Sequence, residues 1–172
     1  HRELQKTLLL LQIDLETRMG AIAELHARSK DVQVVLLCDR GVLDGRAFCE
    51  SDEEWNTITS AAGTTDSAIL ERYDLIFHLV TAANGAAEHY EYGATSRNPS
   101  RFHNPDQAIE ADEKGRTAWS KHPHLAVIDN STSFDQKVTR VLRRICHRLH
   151  LPLPSHAPLW RHQLRGPVPD SA

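Results

Sequence analysis

The run VVLLCDRG, Val34 to Gly41, decides how the chain is read. Val34 to Cys38 are apolar without alternation, the pattern of a strand covered on both faces in a parallel sheet. The run ends in Asp39, Arg40 and Gly41: a carboxylate, a guanidinium and a residue that turns freely. Ligands of open α/β sheets sit at the carboxyl ends of strands. Asp39 and Arg40 are therefore the first candidate site residues.

Upstream of this run, Leu4, Leu8, Leu11, Leu15, Ile22 and Leu25 recur at helical spacing. That spacing predicts a long amphipathic helix over 3–27 with the stripe against the core. Downstream, Ser51 and Glu54 have capping-box spacing and open a helix toward residue 61. A short helix follows at 66–72, and DLIFHLV, Asp74 to Val80, is a second buried strand. Residues 81–104 form a long loop with one helical turn near Glu88. Long loops in compact domains are usually functional or disordered. Asn104, Pro105 and Gln107 then start a helix that runs to about Trp119. LAVID, Leu125 to Asp129, is the third strand. Ser133 and Gln136 cap a last helix whose apolar face is Phe134, Val138, Val141, Ile145 and Leu149.

Helices between buried strands mean an α/β fold, a parallel sheet flanked by helices. Residues 1–151 make the domain. Pro152, Pro154, Pro158, Pro167 and Pro169 make 152–172 a Pro-rich tail or linker. The chain opens on His1 directly in a helical pattern, as a piece of a longer protein would.

Composition excludes some classes. At 172 residues, 40% hydrophobic and 25% charged, this is an ordinary globular chain. A net charge of −3 argues against a nucleic-acid binder. Cys38, Cys49 and Cys146 are odd in number and lack metal spacing, which suits reduced thiols in a cytoplasmic protein. The longest early apolar run, Leu8 to Leu11, is far too short to span a membrane.

Three strand ends carry polar groups: Asp39 and Arg40, then Thr81, then Asp129 and Asn130. The long loop adds Arg97 and Arg101. A strand-end acid with loop arginines suits phosphoryl transfer: the acid organises Mg²⁺ or takes a proton, and the arginines neutralise charge. Each residue has a plainer reading. Asp39 would cap the next turn, the arginines would be solvated, and Asp44 is read as a cap. His122 and His124 fit a turn before a strand, and His147 and His150 lack partners for zinc. Cys38 is read as a core residue. On the last helix Lys137, Arg140, Arg143, Arg144 and Arg148 stand opposite the apolar stripe. The default is a solvated basic face; the functional alternative is contact with an anionic membrane surface.

VVLLCDRGVLDGRAF, RYDLIFHLVTAANGAAEHY, RNPSRF, AIEADEKGRTAWSKHPHLAVIDNST and FDQKVTRVLRRI together carry a resemblance. The chain resembles the AAA-type P-loop domain of NadR-like nicotinamide riboside kinases and TRPL translocation defect proteins, closer to the latter. The resemblance covers nearly all of residues 1–153 and implies a P-loop NTPase fold that binds GTP or ATP with Mg²⁺. It further implies, for the translocation defect branch, recognition of phosphatidic acid and phosphoinositides, peripheral at membranes. On that mapping Asp39 matches the Mg²⁺-organising acid and Arg40 its partner. Arg97 and Arg101 fall in the lid, while Asp129 and Asn130 begin the loop near the base. Arg140, Arg143 and Arg144 are the lipid-facing candidates.

The departure is that no G-x-x-x-x-G-K-[ST] occurs and none of the eight glycines precedes Lys. That loop's backbone N–H groups and Lys cradle the phosphates. The family's first strand and P-loop would lie before His1, its first strand between the strands at 33–38 and 74–80. A chain without them is expected to be poorly stable and inactive by itself. Two rivals remain: a nicotinamide riboside or nucleoside kinase, and a non-nucleotide interaction scaffold.

Overall fold

The computed structural model describes residues 2–93 and 100–153. The elements run α1 (Arg2–Lys30), a 3-10 segment (Val42–Phe48), α2 (Asp52–Ala61), α3 (Asp66–Leu70) and β1 (Ile76–Leu79). After a 3-10 turn (Ala87–His89) come α4 (Pro105–Ala118), β2 (Leu125–Ile128) and α5 (Phe134–Arg148). β1 and β2 pair in a two-stranded sheet. The N–H of Ile76 donates to the His124 carbonyl and that of Val80 to the Ile128 carbonyl, so the partners advance together and the pair is parallel. The fold is α/β and rich in helix. By contact the chain divides into two compact units, His1–Ile76 with Glu110–Leu125, and Phe77–Ile109 with Ala126–Ala172.

Helix starts follow local chemistry. The Glu54 N–H donates to Ser51 Oγ at 3.2 Å, while the Glu54 carboxylate reaches one residue further back, to the Glu50 N–H. Asn104 and Gln107 bond reciprocally at 2.9 and 3.0 Å. Ser133 and Gln136 form a full capping box. Each such cap stabilises by about 1 kcal/mol.

The first unit has a core of Leu9, Val42, Leu43, Trp55, Ile58, Ile69, Ala118 and Trp119. Both tryptophans find an acceptor for the indole N–H, which lets so large a ring be buried. Trp55 donates to Asp66 at 2.6 Å and Trp119 to Asp44 at 2.7 Å. Asp66 also pairs with Arg46 at 2.7 Å.

Two sequence expectations fail in this unit. The run at 33–38 joins no ladder, so among the described residues there are two strands and not three. Val34 to Leu37 are exposed, Leu37 at 75%, and Cys38 is exposed and not a core residue. Extended backbone becomes a strand only when a neighbour takes its N–H and C=O groups, and neither β1 nor β2 does so.

The second concerns α1, where the expected helix forms but its apolar stripe stays out of the core. Leu4, Leu8, Leu11, Leu15, Ile22 and Leu25 are all exposed, Leu11 at 62%. The core takes Leu9 instead, with Ile13 packed beside it. Polar anchors on that narrower face fix the choice. Glu16 accepts from the Tyr73 hydroxyl at 2.9 Å and pairs with Arg72 at 3.2 Å, and Gln12 donates to the Arg40 carbonyl at 3.0 Å.

In the second unit Ala83, Ala108, Ala126 and Ile128 are buried. Val127 and Leu79 are exposed, so these strands are covered less fully than a continuous apolar run predicts. The tail from 154 onward lies outside the described residues.

Candidate functional site

In the first unit, Asp39 is exposed and, among the described residues, has no hydrogen-bonding or ionic partner. The next residue, Arg40, sits at φ 74°, the left-handed region. That costs a side-chain-bearing residue on the order of 1–3 kcal/mol and persists only where the surroundings enforce it. They do. Gln12 holds the Arg40 carbonyl, the Gly41 N–H donates to Asp44 Oδ2 at 2.8 Å, and the Val42 N–H donates to the Tyr73 hydroxyl at 2.7 Å.

Gly41 is at φ −116°, so it is not the turning residue its composition suggests. It is needed for space, because a Cβ there would lie 2.5 Å from Trp119 Cζ2. Burial, with the Glu16 carboxylate adding to it and the Val42 N–H opposing, pushes the Tyr73 hydroxyl up. Asp44 braces this turn, as its reading as a cap anticipates. Partial desolvation of its sulfur, and then the Glu16 carboxylate, push the exposed Cys38 thiol up, away from reactive thiolate. The His122 ring accepts from the His124 N–H at Nδ1 and donates to the Tyr73 carbonyl at 2.8 Å, so it serves the turn.

In the second unit, Asp129 and Asn130 follow β2. Asp129 accepts from the Ser131 hydroxyl at 2.6 Å and from Arg140 at 2.6 Å. The Ser131 hydroxyl first, then the Arg140 guanidinium, lower its carboxyl to about 2. A nucleotide-side acid and a lipid-side cation of the sequence reading thus meet in one ion pair. Asn130 Nδ2 donates to the carbonyls of Thr81 and Asn84, each at 2.7 Å, and touches that of Val80 at 3.3 Å. Its Oδ1 accepts from Lys137 at 2.7 Å.

Lys137 corrects the reading of the last helix: it is buried, 9% exposed, and does not belong to the solvated basic face. The signal was in the spacing. Lys137 stands three residues after Phe134 and four before Val141, beside the apolar stripe. Arg143 and Arg144 are exposed on α5.

On the long loop, Arg101 lies over the Tyr90 ring at 5.1 Å and reaches the Glu91 carbonyl at 3.4 Å. Its own carbonyl accepts from the Gly93 N–H at 2.9 Å. Arg97 lies outside the described residues. Asp39 and Arg40 therefore belong to the first unit, and Arg101, Asp129, Asn130 and Arg140 to the second.

Among the described residues no group of three or more His, Cys, Asp or Glu is placed to hold a metal by itself, His147 and His150 included. No helix there is long and apolar enough to cross a membrane. A family model described as an AAA domain matches residues 2–137. No curated protein and no solved structure matches the chain.

Proposed function

The chain belongs to the AAA domain family, and on that premise we propose a P-loop-type nucleotide-binding domain that takes GTP or ATP with Mg²⁺. The observation that carries the reading is where the polar groups gather. Thr81, Asn84, Asp129 and Asn130 collect at the carboxyl ends of two parallel strands, where ligands of α/β sheets bind.

Asp39 is the residue that fits Mg²⁺. Its carboxylate, exposed and without a partner among the described residues, supplies a hard oxygen, and Mg²⁺ commonly takes one or two carboxylates with water and phosphate oxygens. Bound there, the ion would neutralise phosphate charge. Arg40 would assist it, and Arg97 and Arg101 would meet charge that develops on the phosphoryl group. Asp129 is already committed to Ser131 and Arg140, so it shapes the loop after β2.

The phosphate cradle is not in these 172 residues. In this reading a strand, loop and helix outside them supply it. The exposed apolar side chains of α1 and of 34–37 are the surface that unit would cover.

A second reading concerns acidic phospholipid. Arg143 and Arg144 stand exposed on α5, and cations near an anionic surface gain about 1 kcal/mol each. Contact there would be electrostatic, and salt would weaken it.

Titration of the full-length protein with fluorescent GTP and ATP analogues, with and without Mg²⁺, tests the first reading. Saturable Mg²⁺-dependent binding supports it. No binding of either analogue leaves the interaction scaffold as the better account.

A further inference from the structure

We infer that Asn130 and Lys137 form a positioning clamp for the loop after β1, and through it for Arg101. The inference rests on the nucleotide reading for the role of Arg101. The mechanical part stands without it.

Both N–H donors of Asn130 are used, and its oxygen has a partner. An asparagine amide has two N–H donors and one oxygen. Both donors of Asn130 go to loop carbonyls, those of Thr81 and Asn84, with the Val80 carbonyl at longer range. Its oxygen accepts a hydrogen bond from Lys137 Nζ, which also donates to the Val80 carbonyl at 2.8 Å. Neither N–H of the Asn130 side chain is left to donate to a nucleotide base. The carbonyls it holds are those that β1 leaves behind as its ladder ends at Val80.

The loop beyond is built onto this clamp. The Asn84 N–H donates to the Thr81 carbonyl at 3.0 Å and the Ala86 N–H to the Ala82 carbonyl at 3.0 Å. Gly85 takes φ 89°, which favours glycine, and a Cβ there would stand 3.5 Å from Asn130 Cβ. The chain then enters the 3-10 turn Ala87–His89 and reaches Tyr90, over which Arg101 lies. Every step of this path falls within the second unit. A buried lysine is costly unless its donors are satisfied, and here Lys137 donates to the Val80 carbonyl at the end of β1 and to Asn130, which in turn holds the loop carbonyls.

A plain structural lysine would hold α5 in place and affect the unit as a whole. A positioning clamp acts on 81–90. Amide hydrogen exchange on the full-length protein separates the two, using Lys137→Met, Asn130→Asp and Lys137→Arg. Asn130→Asp keeps the acceptor for Lys137 and removes both N–H donors, so it decides the matter should Lys137→Met not fold. The expected result is exchange about tenfold faster at Asn84, Ala86, His89 and Tyr90, the scale of one or two lost hydrogen bonds. Protection in α5 should stay unchanged, and Lys137→Arg should recover part of the loop's. Unchanged exchange, or an equal rise across α5 and the loop, overturns the clamp.

The same variants are then titrated with the GTP and ATP analogues in Mg²⁺ and assayed for turnover. Lower turnover with affinity nearly kept supports positioning of Arg101. A loosened loop with wild-type turnover overturns that part. If wild-type protein binds neither analogue, the nucleotide reading falls while the exchange result still decides the clamp.

Discussion

Gly41→Ala should destabilise the first unit although its backbone suits alanine. At φ −116° and ψ 163° no strain arises from the added methyl. Its place is already taken: the new Cβ would lie 2.5 Å from Trp119 Cζ2, 2.8 Å from Cη2 and 3.3 Å from the Tyr73 oxygen. Trp119 has little room to yield. It is 4% exposed, its N–H is held by Asp44 at 2.7 Å, and its ring meets Tyr73 edge-on with centroids 5.1 Å apart. Overpacking of this kind costs about 1–3 kcal/mol, and the lower entropy of an unfolded alanine offsets about 0.4–1 kcal/mol. A net loss of roughly 1–2 kcal/mol follows. Urea unfolding should show it as a lower midpoint with an unchanged slope. In a Trp119→Phe background the clash is relieved, so Gly41→Ala should cost clearly less there. An equal cost in both backgrounds, or no cost in the wild type, would refute the packing argument.

Arg143→Gln with Arg144→Gln should weaken salt-sensitive binding to phosphatidic acid vesicles by about 1 kcal/mol per charge, measured by co-sedimentation. Arg140→Gln should do less, because Asp129 already holds that guanidinium. The Asp129 carboxyl, lowered to about 2, contributes stability that is present above the ordinary carboxylate range and lost as pH falls from about 4 toward 2. Ser131→Ala removes the larger cause and should flatten this acid limb in pH-resolved thermal melts; an unchanged limb would exclude the Ser131 bond as its source. Arg97→Ala with Arg101→Ala should lower turnover more than nucleotide affinity, since such arginines act on charge that develops during transfer. Loss of affinity alone would return them to ground-state binding.

Local signals in the sequence were legible because their causes are local. Asn104–Gln107 and Ser133–Gln136 each bond where their spacing places them, and the turn near Glu88 forms at Ala87–His89. What periodicity does not carry is the identity of the neighbour. The stripe from Leu4 to Leu25 is a true helix face, yet Glu16, Gln12 and Leu9 decide which face meets the core. Val34 to Cys38 have the composition of a strand, but a strand is a relation between two segments, and no described segment pairs with this one. At the site, the sequence picks out Asp39, Arg40, Asp129 and Asn130 by their positions after apolar runs. It does not reveal that the Asn130 amide is spent on the loop, because that depends on carbonyls some fifty residues away in the chain.

The measurement closest to the central claim compares nucleotide binding by the full-length wild type and Asp39→Asn, with and without Mg²⁺. Asn keeps the size of the side chain and removes the charge that would organise the ion. The account predicts that wild-type affinity for a GTP or ATP analogue rises with Mg²⁺ and that the Asn variant loses most of this rise. Its metal-free affinity should stay close to that of the wild type. Equal affinity and equal Mg²⁺ dependence in the two proteins would contradict the assignment of Asp39.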